Sequence, residues 1–551
     1  MFTPALPSFL FMLADDIGWA DFSYNNGTAQ TPNIDKWATK TAGSIVFQDF
    51  HSGGTVCSPT QATVLTGRNH FRDCVDFVYG CSDMTQCPHL DFEFAPMHTF
   101  AVGDAVRSFS TEEYGDKDGA YFAGKWHLGS FYKDAARYGG VVSSPLSHGG
   151  FTKMNATVEV APTATSNCMC KAEWNDLCDF GHNHEPTGCK PEGECCFNYW
   201  WDDPLAPHGV TNLTWPTPPD DSLYLADAFS RYLKERSAQK KPFLAQISFH
   251  NCHKPFIGSK KVKESCAKGE TCRPPLNGEE PYTDEELDYY ACLIELDNAV
   301  GLILNALKRY GYYDNTMTWF TTDNGPEKNC RPTGICKNAN KNPQRPIEAP
   351  GSAGPLRGRK RDIYEGGHRV PGIVSFPSQV KSSSSTVLSW ETVTTMDFLP
   401  TIMEVLNVER PLEQRSWAFD GRSILPLLHN ATTGFKWADT EEGPRSVGYQ
   451  FYDTTLNKSK GWGYRFGRWK YVEGSMSCLH PDCQKPQLYD LDSDIGERVD
   501  LSSKYPDILE DLQLKFQKWH ESVMKSRREE SKCRKTELML PQSLISMSET
   551  E

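Results

Sequence analysis

The chain has 551 residues, 38% hydrophobic and 23% charged, with no long low-complexity segment, which is enough for one large domain and a smaller one. Its formal net charge of −14 excludes nonspecific binding to nucleic acid or to an anionic membrane, so an anionic ligand needs a local basic cluster. No apolar run in the sequence approaches the roughly 20 residues that cross a bilayer, so no membrane span is expected.

The chain opens Met1-Phe2-Thr3-Pro4 with neither a basic start nor a cleavage site. It then enters Phe9-Leu10-Phe11-Met12-Leu13, a continuous apolar run expected for a strand buried on both faces. That run ends in Asp15-Asp16. Two adjacent carboxylates repel, and at a buried strand end they need a cation; in a solvated turn they do not. Further on, Cys57-Ser58-Pro59-Thr60-Gln61 leads through a short apolar helix-like run to Thr66-Gly67-Arg68. Pro59 suits a first helical position and Gly67 a helix end, which puts Cys57 just before a helix start. A helix N-terminus favours a thiolate or an anionic substrate.

Ala120-Tyr121-Phe122-Ala123 runs into Gly124-Lys125-Trp126-His127-Leu128-Gly129. The region from 143 to 219 is rich in cysteine, proline, glycine and tryptophan and reads as an irregular insert. Phe243 to Phe249 is a second buried-strand run, followed by His250-Asn251-Cys252-His253. Read from the residues alone, His250 and His253 could be a zinc pair, but no third ligand lies at a suggestive spacing. Thr283-Asp284-Glu285-Glu286 is a capping box opening a long helix, with Leu287, Tyr290, Ile294, Leu304 and Leu307 as its buried stripe. Met317 to Thr322 is a third strand run and ends in Asp323-Asn324-Gly325. Leu356-Arg357-Gly358-Arg359-Lys360-Arg361 is a basic cluster in an acidic chain. Beyond about Ser522 the chain is polar and poor order is expected.

Nineteen cysteines, several of them close together, read as disulfides in an oxidising compartment. Cys168, Cys170, Cys178, Cys189, Cys195 and Cys196 fall within the insert, and Cys330/Cys336 and Cys478/Cys483 close short loops. His182 and His184 leave a metal site open as the other reading of the insert. Sequons at Asn26, Asn155, Asn212, Asn430 and Asn457 fit a secreted glycoprotein. Secretion or an endomembrane lumen, lysosomal included, requires a signal peptide, so a truncated N-terminus is expected.

Several strand runs end in a polar motif, and open parallel sheets bind ligands at the carboxyl ends of their strands. This predicts an α/β fold with the motifs converging on one sheet edge.

Taken together and in order, these motifs resemble the sulfatase family, from about residue 9 to 505. The resemblance rests on Asp15-Asp16-Ile17-Gly18-Trp19, Thr31-Pro32-Asn33-Ile34-Asp35, the Cys57 segment, Gly124-Lys125-Trp126-His127-Leu128-Gly129 and His250 to Pro255. It continues through Asp323-Asn324-Gly325, Leu356 to Pro371, Asp397-Phe398-Leu399-Pro400-Thr401 and Asp420-Gly421-Arg422-Ser423. One position departs from the pattern: Gln61 stands where the family signature has an arginine.

The resemblance implies an alkaline-phosphatase-like, mostly parallel sheet sandwiched by helices. It implies a catalytic domain over 1–430 and a C-terminal subdomain over 431–551, with a small antiparallel sheet and a polar tail. It implies that Cys57 is oxidised to Cα-formylglycine by a formylglycine-generating enzyme. A calcium ion is implied on Asp15, Asp16, Asp323, Asn324 and the group derived from Cys57. Lys125, His127, His253 and Lys360 are implied as catalytic residues acting on a sulfated small molecule or carbohydrate. Two other readings stay open: a catalytically impaired binder of sulfated ligands, given the loss of charge at Gln61, and a phosphodiesterase or phosphonate hydrolase on the same scaffold.

Overall fold

The computed structural model describes residues 6–78, 99–110, 114, 119–128, 144–157, 195–201, 210–215, 221–254, 256, 258–275, 280–327, 349–380, 385–453, 458–475, 484–531, 533, 540, 541, 543 and 544. Cys168, Cys170, Cys178, Cys189, His182, His184, Cys330, Cys336, Cys478, Cys483 and Asn457 lie outside these residues, as do the side chains of Cys195, Cys196 and Asn212.

The three apolar runs become the centre of one ten-stranded sheet. Its strands in chain order are β1 (Ser8–Ala14), β2 (Ser44–Phe47), β4 (Ala120–Lys125), β5 (Lys153–Thr157), β6 (Cys195–Trp201), β7 (Val210–Trp215), β8 (Leu244–Ser248), β9 (Thr316–Thr322), β10 (Gly372–Ser375) and β11 (Val387–Ser389). β3 (Phe50–His51) pairs instead with β12 (Val393–Thr394). The spatial order is β11-β2-β10-β9-β1-β8-β4-β5-β6-β7, and β9, β1, β8, β4 and β5 form a parallel block. Antiparallel strands flank that block on both sides. The sheet is therefore mostly parallel at its centre, as expected.

Both faces are covered by helices, which explains why β1 is apolar from Phe9 to Ala14. Leu10, Met12 and Ala14 face a core with α1 (Pro32–Lys40), α4 (Ser222–Gln239) and α5 (Asp284–Arg309). Phe9, Phe11 and Leu13 face the other core, with α2 (Cys57–Thr66), α3 (Val102–Phe109) and α6 (Phe398–Leu406). The period of two along a strand separates these sets. At the start of α5 the expected capping box is present: Glu286 N donates to Thr283 Oγ1 at 3.2 Å, and Thr283 N donates to Glu286 Oε2 at 2.7 Å. α5 is 26 residues long and apolar enough to cross a membrane, but its Ala291, Leu293, Leu296, Val300 and Leu307 are buried in the core.

A smaller antiparallel sheet follows, in the order β13 (Ser446–Asp453), β14 (Lys458–Phe466), β15 (Trp469–Glu473) and β16 (Gln487–Asp490). The helix α7 (Pro506–Glu529) packs on it through Leu512 and Phe516.

Two expectations are corrected. The region 143–219 is not wholly irregular: it supplies β5, β6 and β7 to one edge of the main sheet. The chain beyond Ser522 is ordered through Glu529, because its polar residues have buried partners. Arg527 donates to both carboxylate oxygens of Asp76, at 2.6 and 3.0 Å, and Cys533 is disulfide-bonded to Cys74. Cys266–Cys272 is a second disulfide among the described residues.

Candidate active site

Four adjacent parallel strands, β9, β1, β8 and β4, deliver the site. β1 ends at Asp15-Asp16, β9 at Asp323-Asn324, and β4 carries Lys125 as its last residue. β8, between β1 and β4, leads to His250 and His253. The predicted convergence on one sheet edge is thus present, and α2 brings Cys57 to it.

Cys57 is the first residue of α2 rather than the one before it, with Val56 as the N-cap. Gly67 ends the helix at φ +65, where a side chain is strained and an added Cβ would lie 2.7 Å from the Phe419 ring. Every residue of α2 is buried, and its polar side chains anchor the site's loops. Ser58 Oγ donates to His127 O at 2.6 Å, and Thr60 Oγ1 donates to Asp323 O at 2.6 Å.

Cys57 Sγ lies 3.5 Å from Asp15 Oδ1 and 3.6 Å from Lys360 Nζ. Lys125 Nζ is paired with Asp15, and Lys360 Nζ reaches both oxygens of Asp16, at 2.6 and 2.8 Å. Asp16 N donates to Asp323 Oδ1 at 3.1 Å, and Asn324 Nδ2 donates to Asp16 Oδ1 at 2.7 Å. One oxygen from each of Asp15, Asp16 and Asp323 and the Cys57 sulfur lie within 4.8 Å of one another.

Burial dominates the electrostatics. It pushes the Asp15 carboxyl up to about 7, with the Asp323 carboxylate adding to it and Lys125 opposing. It raises Asp16 to about 6 against the pull of Lys360, and it raises Asp323, with Asp16 adding to it. Three buried carboxylates that resist ionisation, beside an Asn324 Oδ1 with no partner, form an oxygen donor set suited to a hard divalent cation. These residues fit calcium.

The same surroundings overturn the thiolate reading of Cys57. Burial and then the Asp15 and Asp323 carboxylates raise the thiol well above its ordinary value, outweighing Lys125 and Lys360. At a helix N-terminus with this many carboxylates, the dipole loses.

His127 is fully buried at φ +50, and both of its ring nitrogens lack a partner. Burial, then Lys125 and Lys360, hold it well below the usual imidazole range, so it is neutral. His253 Nδ1 lies 2.6 Å from Lys254 O, an oxygen that can only accept, which leaves Nε2 as the basic nitrogen at 3.7 Å from Asp16. His250 lies apart from this role, its Nδ1 bonded to Asp221 at 2.7 Å.

Sequence reasoning missed two groups here. Gln61 sits in a neutral buried network: its Oε1 accepts from Gln246 Nε2 at 3.0 Å and from Ser248 Oγ at 3.4 Å, and its Nε2 donates to Lys125 O at 3.3 Å. The legible signal was two polar residues, Gln246 and Ser248, inside an otherwise apolar strand. Glu327 and Arg361 were also missed. Glu327 pairs with Lys360 at 3.3 Å and with Arg361, adjacent to residues already singled out. The basic run is not a solvated face: Lys360 is buried, and Arg359 donates to the carbonyls of Ala349 at 2.7 Å and Gly351 at 2.9 Å.

The sheet edge thus gathers buried carboxylates, two lysines and the Cys57 thiol at the start of α2. The model described as Sulfatase matches residues 7–77 and 119–408, and the chain belongs to the sulfatase family of sulfuric ester hydrolases. A second model, N-sulphoglucosamine sulphohydrolase, C-terminal, matches 358–522. The chain is 25% identical to dog (Canis lupus familiaris) arylsulfatase G over 541 residues, covering 91% of this chain and 83% of that one. It is 26% identical to human arylsulfatase A over 538 residues, covering 92% and 86%. Among solved structures, Ps i-CgsB in complex with k-i-k-neocarrahexaose shares the fold at TM-score 0.68 and 18% identity, covering 97% of this chain and 95% of that one. A protein solved in complex with D-glucosamine-2-N,6-O-disulfate shares it at TM-score 0.57 and 16% identity, covering 96% and 100%.

Proposed function

We propose that this sulfatase hydrolyses sulfate esters of a carbohydrate, using one calcium ion and a Cα-formylglycine made from Cys57. The observation that carries the reading is the gathering of Asp15, Asp16 and Asp323 around Cys57 with the Asn324 oxygen open. Asp15, Asp16, Asp323 and Asn324 hold the ion, with the group derived from Cys57 completing the set. When bound, calcium offsets the carboxylate charge and polarises a sulfate oxygen, while the hydrated formylglycine supplies the attacking oxygen.

The other roles follow from this chain's own side chains. Lys360, already 3.6 Å from the nucleophile position, and His253 hold the departing alcohol oxygen and supply its proton. His253 is kept neutral by burial and by Lys360 and Lys125; an anionic ester beside it opposes the two lysines and favours its protonated form. His127, neutral and with both nitrogens open, accepts the proton that must be removed to release sulfate. Lys125 orients Asp15.

The carbohydrate assignment draws support from the ligands named for two structural relatives. Conversion of Cys57 requires a formylglycine-generating enzyme as a partner during synthesis. The disulfides Cys74–Cys533 and Cys266–Cys272 support folding in an oxidising compartment, a secretory or lysosomal lumen. The division between catalytic and C-terminal units falls near residue 430.

A second reading is favoured by Gln61. Its neutral network leaves the nucleophile helix without the signature charge, which suits a protein that binds sulfated ligands and turns them over poorly. The test is the mass of the peptide spanning residue 57, measured beside turnover of a generic aryl sulfate. Converted and active protein supports the enzyme. Converted but silent protein supports the binder, and turnover of a phosphodiester in preference to the sulfate refutes both.

A further inference from the structure

Five Asn-x-Ser/Thr sequons play no part in sulfate ester hydrolysis, and the fold separates the three whose side chains the structure describes. Asn26 is exposed. It ends the short helical turn Ser23–Asn25 in the left-handed region, at φ +73 and ψ +21, and its amide donates to Ser23 O at 3.0 Å. Arg273 Nη2 clamps this turn, donating to Asn26 Oδ1 at 2.9 Å, Asn26 O at 3.1 Å and Gly27 O at 3.2 Å. The clamp engages the oxygen of the side-chain amide and leaves Nδ2 with no hydrogen bond among the described residues. Arg273 is itself held: its amide donates to Thr28 O at 2.8 Å, and the neighbouring Cys272 is disulfide-bonded to Cys266. Asn155 is the opposite case. It lies inside β5, between Ala123 of β4 and Trp201 of β6, is 1% exposed, and its Nδ2 donates to Tyr224 Oη at 2.8 Å. An oligosaccharide on that nitrogen would have to open the sheet, because interiors are close-packed and buried sugar hydroxyls would lose their partners. Asn430 stands between the two, half-buried with its Nδ2 donating to Pro426 O at 2.9 Å.

We propose that Asn26 is a modification site carrying an asparagine-linked oligosaccharide, and that Asn155, with an equally valid sequon, carries none. This rests on the secretory or lysosomal lumen proposed above, which supplies the co-reactant, a lipid-diphosphate-linked oligosaccharide, and its transferase. The transfer breaks the bond between the sugar's anomeric carbon and a phosphate oxygen and forms one between that carbon and Asn26 Nδ2. The lipid diphosphate leaves, one Nδ2 proton passes to a base of the transferase, and nothing is oxidised or reduced. Transfer precedes folding, so both asparagines are presented to the transferase, and the fold decides which glycan the finished protein can bear. At Asn26 the modified nitrogen keeps solvent around it while Oδ1 keeps its bond to Arg273. Chains modified at Asn155 do not reach the folded state.

The test is mass spectrometry of intact glycopeptides from full-length protein isolated from its own cells and digested without reduction, so that one digest reads both glycans and disulfides. The peptide spanning Asn26 should carry hexose and N-acetylhexosamine in more than about half of the molecules, and the Asn155 peptide in fewer than about one in twenty. A chain with Cys74–Cys533 and Cys266–Cys272 oxidised but Asn26 bare overturns the proposal, as does a glycan on Asn155 at an occupancy like that of Asn26. A bare Asn26 with both disulfides reduced overturns it too, and marks the lumenal reading as the part that failed. Thr28→Ala, made in the same cells, keeps Asn26 and the Arg273 clamp but breaks the sequon and should remove the glycan, whereas Thr28→Ser should retain it. Sugar that persists on the Asn26 peptide of Thr28→Ala refutes attachment through the sequon.

Discussion

Asp323→Asn is expected to change sign with calcium. The substitution keeps the side chain's size and its Oδ1, which accepts from Asp16 N at 3.1 Å, and removes only the charge. Without the cation that charge is a liability. Asp15 is raised from 3.8 to about 7, with Asp323 the largest contributor after burial. At about 1.4 kcal/mol per unit, holding Asp15 ionised above neutral pH costs up to about 4 kcal/mol, of which relief of the Asp323 charge recovers about 2 kcal/mol. A carboxyl whose folded value lies above its unfolded value binds more protons in the folded state between the two. The cost is therefore absent below about pH 4 and complete above about pH 7. A cooperatively unfolding chain of 551 residues has an unfolding entropy near 1.2 kcal/mol/K, at ~2.1 cal/mol/K per residue. The variant should then melt about 2 °C above wild type in EDTA at pH 7.5, and level with it at pH 4. With calcium at about one hundred times its dissociation constant the order reverses, because wild type gains about 2.7 kcal/mol that the variant largely forgoes. Thermal melts with and without calcium at both pH values read all four states. A variant that melts below wild type in EDTA at pH 7.5 refutes the account of the donor set.

Gln61→Arg should lower stability by about 2–4 kcal/mol, since the guanidinium replaces an amide whose hydrogen-bond partners among the described residues are the neutral Gln246, Ser248 and the Lys125 carbonyl. Adding Gln246→Glu should recover most of that loss; denaturant midpoints for the single and double variants check the coupling. Cys57→Ala should retain the fold and calcium-dependent stabilisation yet show no sulfate release from an aryl sulfate, measured by turnover and melting together. Cys533→Ser should lower stability by about 3 kcal/mol by opening a disulfide that closes a loop of 459 residues, read as a shift in Tm. Arg527→Ala should produce a smaller loss at the same helix, because the Asp76 carboxylate is left without its partner.

The elements that carry chemistry were legible in the amino-acid sequence because burial on both faces leaves a simple trace. An unbroken apolar run such as Phe9 to Leu13 fits a strand between two helix layers, and a carboxylate pair at such a buried strand end needs a cation. The capping box at Thr283 and the helix stop at Gly67 are local chemistry and needed nothing from the rest of the chain. What lies far apart in sequence needed the tertiary structure. The protonation state of Cys57 depends on carboxylates 42 and 266 residues away, and they reverse the expectation drawn from its helix terminus alone. Gln61 looked like a missing charge until β8 supplied Gln246 as its partner. The segment after Ser522 looked disordered because composition cannot show that Arg527 meets Asp76. Long-range pairing of buried charges sets those outcomes, and no local pattern encodes which charge will arrive.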